Sequence, residues 1–155
     1  MSKYIKQTLS PYIGLGDIKL GMKLSDAREI LKTEKIPFNQ WDNPNKGCVP
    51  EVPWTFIKFD SCITLCFAKD ILWSISCEEG FEGILSNNIR IGMCMEDALK
   101  IDDTLSYNDD DEDFISDQGY WLEDEIESGN VVTFTVFIKE AEDSDFFDYT
   151  WCNRY

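Results

Sequence analysis

Carboxylates crowded into one stretch are the residues with the clearest chemical character. Residues 96–127 hold 14 Asp and Glu side chains and a single cation, Lys100. Such crowding destabilises a fold through self-repulsion, so it is expected in a solvated loop, a cation site or a surface for a basic partner. The whole chain has 30 acidic and 14 basic residues, a net charge of −16. A surface of that sign repels nucleic-acid phosphates and anionic lipids, and we therefore expect no direct binding to nucleic acid or membrane.

The acidic character belongs to one part of the chain. Residues 1–60 carry 9 Lys and Arg against 7 Asp and Glu, whereas residues 61–155 carry 5 against 23. The net charge is therefore +2 in the first part and −18 in the second. A functional surface based on charge is expected in the second part.

The familiar catalytic designs are missing from the sequence. The chain has no His, which removes the side chain that titrates unaided near neutral pH. Gly14 and Gly16 do not complete a glycine-rich phosphate loop, because the third glycine is missing. Carboxylates are abundant, but nothing in the sequence pairs two of them in a pocket as acid and base. We therefore predict a protein that is not an enzyme and has no cofactor.

Neither the cysteines nor the acidic run matches a metal site. The six Cys include no Cys-x-x-Cys pair, and Cys62 and Cys66 would lie about 13 Å apart on an extended strand, too far for a shared zinc ion. An EF-hand pattern started at Asp109 fails, because Phe114 replaces its glycine and Tyr120 its bidentate glutamate. We predict no metal. We also predict reduced, mostly buried thiols, with a three-disulfide framework as the alternative.

Aromatic residues follow the acidic run directly. Residues 120–125 read Tyr-Trp-Leu-Glu-Asp-Glu, and because side chains alternate along a strand, Tyr120 and Trp121 cannot both face inward. An exposed ring among carboxylates is suited to a Lys- or Arg-rich protein, since packing supplies affinity and charge steers the encounter. A rival surface is the loop of residues 39–53 with Trp41 and Trp54. The predicted partner-binding residues are Asp109, Asp110, Asp111, Glu112, Asp113, Asp117, Tyr120, Trp121, Glu123, Asp124 and Glu125.

A short internal repeat indicates which elements position these residues. Residues 17–27 align with residues 88–98 at an offset of 71, and each copy contains Gly-Met and ends in Asp-Ala. A glycine turn followed by a polar residue at a helix N-terminus predicts a short strand that enters a helix. The helices are predicted from residue 25 to about residue 35, where Pro37 follows, and from residue 96 over a short stretch.

Strand-like segments follow each predicted helix. Apolar residues at every second position of residues 71–77 predict a strand in a sheet that has one solvent-exposed face. The other segments are shorter alternating or aromatic-rich runs bounded by turn residues. The predicted strands are residues 54–59, 62–68 and 71–77 in the first part and 120–124, 131–138 and 146–152 in the second.

These elements predict an α+β fold in one domain over residues 1–155. The domain is expected to consist of two repeats, at about residues 12–83 and 84–155. Each repeat would have one short helix and about three antiparallel strands, in sheets covered on one face by the helices. Residues 39–53 and 108–119 are predicted to be equivalent loops of opposite character, and function is expected there.

Composition and the N-terminus bear on location. Hydrophobic residues make up 43% of the chain and aromatic residues 14%, too many for a disordered acidic tail. No apolar run follows the lysines near the N-terminus, and no stretch approaches the roughly 18 apolar residues that span a bilayer. We expect a folded, cytoplasmic protein.

The opening of the first repeat resembles a known class of sequences. Residues 12–22 read Tyr-Ile-Gly-Leu-Gly-Asp-Ile-Lys-Leu-Gly-Met. With the small size and acidic character, this resembles bacterial immunity proteins of contact-dependent growth inhibition (CdiI-type) and of related polymorphic toxin systems. The Gly-Met repeats also resemble those of the β-lactamase inhibitor protein family, whose members are secreted.

The resemblance to immunity proteins implies a function without catalysis. Such a protein binds the C-terminal domain of its cognate toxin, often a nuclease such as an RNase or tRNase, and covers the active site or nucleic-acid groove. Because a nuclease needs a cationic groove, an acidic inhibitor can occupy the phosphate positions. Further host proteins could join the complex through the toxin. The alternative function is a non-catalytic ligand- or peptide-binding adaptor unrelated to toxins.

Overall fold

Strands make up most of the regular structure. The computed structural model describes residues 1–45 and 47–155, and within them it has mixed α/β content in two sheets. The α-helices are α1 (Leu24–Thr33) and α2 (Met95–Ile101). The strands are β1 (Thr8–Ser10), β2 (Gly14–Leu15), β3 (Ile18–Lys19), β4 (Phe38–Asn43), β5 (Trp54–Phe59), β6 (Ile63–Ala68), β7 (Ile71–Glu78), β8 (Ile84–Leu85), β9 (Ser106–Asn108), β10 (Asp113–Ser116), β11 (Tyr120–Asp124) and β12 (Val131–Phe137). Short 3₁₀ segments span Lys3–Lys6, Lys139–Glu142, Phe146–Asp148 and Thr150–Arg154.

The large sheet joins the two halves of the chain. Its strand order is β4-β5-β6-β7-β12-β11-β10-β9, and every neighbouring pair is antiparallel. The first half supplies β4 to β7, the second supplies β9 to β12, and the two sets meet where β7 pairs with β12. The small sheet has the order β3-β2-β1-β8, with β1 and β8 parallel. Strands β9 and β10, with the acidic turn of residues 109–112 between them, therefore lie at one edge of the large sheet.

Each helix begins beside the last strand of its own half. Gly21 precedes α1 and Gly92 precedes α2, with φ angles of 88° and 87°, a conformation that glycine adopts without steric penalty. The amide of Gly21 donates a hydrogen bond to the carbonyl of Leu72 at 2.8 Å, and the amide of Gly92 donates one to the carbonyl of Val131 at 2.7 Å. The two Gly-Met segments thus attach the helices near the starts of β7 and β12.

Most predicted element positions are confirmed. The two helices begin within one residue of the predicted positions, and α1 ends two residues earlier than expected. The strands β5 and β11 have the predicted bounds, and β6, β7 and β12 agree to within one residue. These elements have a strong hydrophobic periodicity, which is the signal that sequence reading detects best.

Two segments predicted as loops contain strands. Residues 39–53 include most of β4, although residue 46 of this segment lies outside the described residues. Residues 108–119 include β10, which pairs with β9 in a hairpin. The prediction missed both because β4 is polar and exposed beyond Phe38 and because β10 begins with a carboxylate, Asp113. Each half therefore contributes four strands to the large sheet, not three.

One core cluster joins both helices to both halves of the sheet. Ala27 and Leu31 of α1 and Ala98 of α2 are fully buried in it, together with Leu72 of β7 and Phe134 of β12. Burial of large apolar side chains contributes about 1.5–3 kcal/mol each, so this cluster contributes strongly to stability.

A second core cluster is built around the end of the chain. Phe146 and Trp151 stack with ring centroids 5.4 Å apart and planes at 6°, and they pack with Trp73 of β7 and Phe137 of β12. The prediction of a strand at residues 146–152 is wrong. Two 3₁₀ turns, separated by Tyr149 with a φ of 60°, bring both rings to the same side, which strand alternation would not allow.

The second cluster also shows that the expectation of a solvent-exposed sheet face along β7 is wrong. Leu72 belongs to the first cluster and Trp73 to the second, and Ser74 is 4% exposed. A strand buried on both sides still shows alternation in its residue types, so the pattern alone could not reveal the second layer. Within the described residues, no helix is long and apolar enough to cross a membrane.

Candidate functional site

The predicted partner-binding residues lie on β10, on β11 and in the loops beside them. Four of them line one groove of about 650 Å³: Asp111, Asp113, Trp121 and Glu123. The structure does not bring the others into this groove. They lie in exposed turns, along the outer part of β11 or on its opposite face: Asp109, Asp110, Glu112, Asp117, Tyr120, Asp124 and Glu125.

Tyr120 and Trp121 point to opposite sides of β11. Tyr120 is 1% exposed, and its hydroxyl donates a hydrogen bond to Asp102 Oδ2 at 2.5 Å. Asn87 Nδ2 donates a hydrogen bond to the same hydroxyl at 2.9 Å. Trp121 is half-buried and packs against the second core cluster. Trp121 is therefore the ring that borders the acidic surface, whereas Tyr120 is buried in the core on the other side of the strand.

Asp113 is the unusual group of the groove. Its residue is 7% exposed, and its Oδ1 atom is buried without a hydrogen-bond partner among the described residues. Loss of solvation raises the pKa of this carboxyl, and the negative charges of Asp111 and Glu123 raise it further. Burying a carboxylate without a partner is unfavourable. The fold therefore keeps a negative group whose interactions are incomplete.

The register of the hairpin places this carboxylate close to Trp121. Ile115 of β10 lies directly opposite Trp121 of β11. Asp113 is two residues before Ile115 on the same strand, so both side chains project to the same side. Diagonal neighbours of this kind are about 7–8 Å apart between backbones, within reach of an aromatic side chain. The charge and the ring can therefore contact one ligand group.

Aromatic rings from distant parts of the sequence form the groove wall. The ring centroids of Trp73 and Trp121 are 6.4 Å apart, those of Trp54 and Trp73 5.2 Å, and those of Trp73 and Phe146 5.0 Å. Trp54 Nε1 donates a hydrogen bond to the Tyr149 hydroxyl at 3.0 Å. These contacts hold the rings in place before any ligand arrives, which limits the entropy lost on binding.

Several groove residues were missed by the sequence analysis. Trp73 was assigned only to a strand, and Asp143, Phe146 and Phe147 were not named as partner-binding residues, although all four line the groove. Residues 143–147 read Asp-Ser-Asp-Phe-Phe, which repeats the combination of acids and aromatics seen at residues 120–125. That combination was the available signal. Trp73 offered none, because it reads as a core residue.

The rival surface is continuous with this groove. Trp41 of β4 stacks on Phe56 of β5 with centroids 5.4 Å apart and planes at 13°. Phe56 in turn contacts Trp54 at 6.4 Å, and Trp54 lines the groove. A row of rings thus crosses the sheet from the β4 edge to Trp121, so the two surfaces considered from the sequence share one face.

The groove carries negative charge. Its carboxylates are Asp111, Asp113, Glu123 and Asp143, and none of the described residues lining it is Lys or Arg. The ion pairs in the described part of the chain involve other carboxylates. Aromatic faces with negative groups around them attract organic cations, because the ring face is itself negative. The arrangement can bind a positive group.

Comparison with known proteins shows a fold and no function. No protein-family model and no curated protein matches the chain. The crystal structure of the uncharacterized protein yfeY from Escherichia coli is similar with a TM-score of 0.57 at 10% identity, covering 84% of this chain and 99% of that one. A cysteine-rich secretory protein from Staphylococcus aureus has a TM-score of 0.49 at 11% identity, covering 86% of this chain and 51% of that one. At such identities the likeness to yfeY is one of fold alone.

Proposed function

We propose that this chain is a non-catalytic immunity protein that binds and neutralises a cationic toxin domain. The observation that carries the proposal is the acidic, aromatic-walled groove with the buried carboxylate of Asp113, whose Oδ1 atom has no hydrogen-bond partner among the described residues. Interfaces draw most of their affinity from aromatic anchors in desolvated pockets and much of their specificity from complementary charge. A groove with both features is suited to a basic protein surface.

A nuclease is the toxin class that best fits the charge. Nucleases bind phosphates with clusters of Lys and Arg, and an acidic inhibitor can replace the phosphates there. The net charge of −18 over residues 61–155 would also accelerate the encounter. In this proposal the acidic second half covers the active site or the nucleic-acid groove of the toxin in the cytoplasm.

We further propose that the chain is a duplicated unit of one helix and four strands. Supporting this, Gly21 and Gly92 make equivalent hydrogen bonds to β7 and β12, and the two strand sets follow each other in mirrored order across the large sheet. The helices share one core cluster with the sheet, which supports the expectation that they cover one face. Duplication explains how one half could diverge in charge while the fold is kept.

Co-expression with the toxin tests the proposed function. An immunity gene lies next to its toxin gene, so the C-terminal domain encoded by the neighbouring reading frame is the candidate partner. We expect the two proteins to co-purify and the host cell to survive the toxin only when this chain is present. Absence of both co-purification and protection would contradict the proposal.

A matched pair of charge variants locates the interface. Replacing Asp109, Asp110, Asp111 and Asp113 together by Asn should weaken protection without unfolding the chain. The control replaces four exposed carboxylates outside the groove and its hairpin by their amides: Asp26, Glu29, Glu51 and Glu79. Both variants change the net charge by four units, so equal loss of protection in the two would show a non-specific charge effect and would move the interface elsewhere.

The size of the groove favours one second candidate. About 650 Å³ suits a few side chains or a short peptide segment. A peptide-binding adaptor unrelated to toxins would therefore use the same groove. It would bind basic peptides but give no protection against the product of the neighbouring gene.

A further inference from the structure

The groove has a preferred position for a single positive group. We propose that it receives one arginine side chain of the partner, with the guanidinium lying against Trp121 and paired with Asp113. The inference rests on the proposed function only for the identity of the partner protein, because the site itself is defined within this chain. It assigns the chemical class of the ligand group and the two residues that select it.

The first reason to propose a bound cation is that the carboxyl group of Asp113 is buried with incomplete hydrogen bonding. A carboxylate that is 7% exposed and has an unpartnered oxygen requires a charge partner or a proton. Asn at this position would avoid the charge, yet the chain places Asp here beside two further carboxylates, Asp111 and Glu123. Among the described residues the groove supplies no cation of its own. A ligand cation would complete the interactions of Asp113.

The aromatic wall indicates an organic cation. Within the described residues, no three Cys, Asp or Glu side chains are arranged to hold a metal ion. Trp121 and Trp73 instead line the groove next to the carboxylates, with their ring planes at 51° to each other. A metal ion requires several oxygen ligands at once, whereas an organic cation gains from ring faces directly.

The planar shape of the guanidinium group favours it over ammonium. Arginine presents five N–H donors in a rigid plane, is weakly hydrated and stacks on aromatic rings. It can therefore lie on Trp121 while it donates to Asp113 and to the neighbouring Glu123. A lysine ammonium is compact and strongly hydrated, so it would lose more solvation for fewer directed contacts.

Short peptides test this site without any toxin. The probes are acetyl-Gly-Arg-Gly-amide and the same peptide with Lys or with citrulline, which has nearly the shape of arginine but no charge. The readout is the indole N–H resonance of Trp121 in a titration followed by NMR, assigned from its loss in Trp121→Phe. We expect saturable binding of the arginine peptide with a Kd of about 1 mM, at least about tenfold weaker binding of the lysine peptide, and none of the citrulline peptide.

Variants decide whether Asp113 selects the guanidinium. Asp113→Asn should weaken binding of the arginine peptide by about tenfold or more, whereas Asp26→Asn, an exposed substitution on α1 outside the groove, should leave it unchanged. A preserved amide spectrum shows that each variant is folded. Should Asp113→Asn fail to fold, Trp121→Leu replaces it and should weaken binding in the same way.

Three results would overturn the proposal: no saturable shift with the arginine peptide, equal binding of the lysine or citrulline peptide, or unchanged binding by Asp113→Asn. Failure of the proposed function has a different signature. In that case the arginine peptide would bind as described, but the toxin domain would neither co-purify nor be neutralised. Conversely, toxin binding that is unaffected by Asp113→Asn would leave the immunity function and remove the arginine site.

Discussion

Trp73 and Trp121 come from different halves of the chain, and their ring centroids lie 6.4 Å apart in the wall of one groove. They meet because β7 and β12 pair at the centre of the large sheet and β11 lies next to β12. The groove is therefore a product of the joining of the two halves. Neither half contains it alone, although the acidic residues belong to the second half only.

The buried carboxylate of Asp113 should lower the free energy of unfolding of the unbound protein relative to a variant without this charge. We expect Asp113→Asn to raise the free energy of unfolding at pH 7 by about 1 kcal/mol, because it removes a buried charge without a full set of partners. Folding raises the pKa of Asp113, so the wild-type carboxyl stabilises the fold most below its ordinary pKa and loses that effect as pH rises through the folded value.

Urea unfolding at pH 7 and at pH 4 measures this effect. The advantage of Asp113→Asn should shrink at the lower pH, where the wild-type carboxyl takes up its proton. Asp110→Asn is the control, and as an exposed substitution it should change stability by less than about 0.5 kcal/mol. A variant less stable than wild type at pH 7 would show that Asp113 has a structural partner.

Asp102 should behave in the opposite way. It is 1% exposed, and hydroxyl groups of Ser116, Tyr120 and Thr104 donate hydrogen bonds to it. Burial raises the pKa of Asp102, but these hydrogen bonds outweigh burial and hold it below its usual value. Its contribution to stability is therefore present above the ordinary carboxyl pKa and is lost as pH falls through the lower folded value.

We expect Asp102→Asn to reduce the free energy of unfolding by about 3 kcal/mol at pH 7, because buried hydroxyl donors lose a charged acceptor. The neighbouring Asp103 is exposed, and Asp103→Asn should have little effect. Thermal unfolding measured from pH 3 to pH 7 should show that the difference in melting temperature between Asp102→Asn and Asp103→Asn becomes smaller at low pH. A constant difference would contradict the assigned charge state.

The two glycine turns make a comparative prediction. A Cβ at Gly92 would meet no described atom within 4 Å, whereas a Cβ at Gly21 would lie 2.5 Å from the Tyr155 ring. Gly92→Ala should therefore cost about 1–2 kcal/mol for its positive φ alone, and Gly21→Ala should cost more. In a double-mutant cycle, Tyr155→Ala should remove the excess cost at Gly21. Equal effects of the two glycine substitutions would contradict the contact with Tyr155.

Charge and ring contributions to toxin binding should separate kinetically. Replacing the exposed Asp109 and Asp110 by Asn should lower the association rate and its dependence on salt, because these groups steer the encounter. Trp121→Ala should mainly raise the dissociation rate.

Trp41 is 42% exposed at the other end of the row of rings, so comparing Trp41→Ala with Trp121→Ala shows which of the two surfaces binds the toxin. A larger effect at Trp41 than at Trp121 in surface plasmon resonance, with circular dichroism unchanged, would favour that surface.

Thiol accessibility checks the fold. All six cysteines lie in the described part of the chain and are free; Cys94 is exposed, Cys48 is intermediate and the other four are buried. Burial raises the pKa of Cys66 to about 12, which suppresses the reactive thiolate. We expect iodoacetamide to label Cys94 first and Cys66 only on unfolding, as mass spectrometry would show. Early labelling of Cys66 would contradict the second core cluster.

Elements with strong apolar patterns were predictable from local sequence. The bounds of β5 and β11 followed from alternating or aromatic-rich runs bounded by turn residues, and the starts of both helices followed from the Gly-Met motif. Strand β4 was not predictable, because its exposed polar residues carry no periodic signal and its pairing with β5 depends on backbone hydrogen bonds. The same limit hid the aromatic C-terminal segment, whose rings fit a strand pattern as well as a pair of 3₁₀ turns.

The sequence by itself determined the acidity of residues 61–155, the lack of His and the two Gly-Met segments, because these depend only on residue type and spacing. It also limited Tyr120 and Trp121 to opposite sides of one strand. Only the tertiary structure decided that Trp121 faces the acids, that Asp113 is buried without a full set of partners, and that Trp73 and Phe146 complete the groove. Burial and long-range pairing depend on which strands meet, and residue spacing along one chain does not specify that.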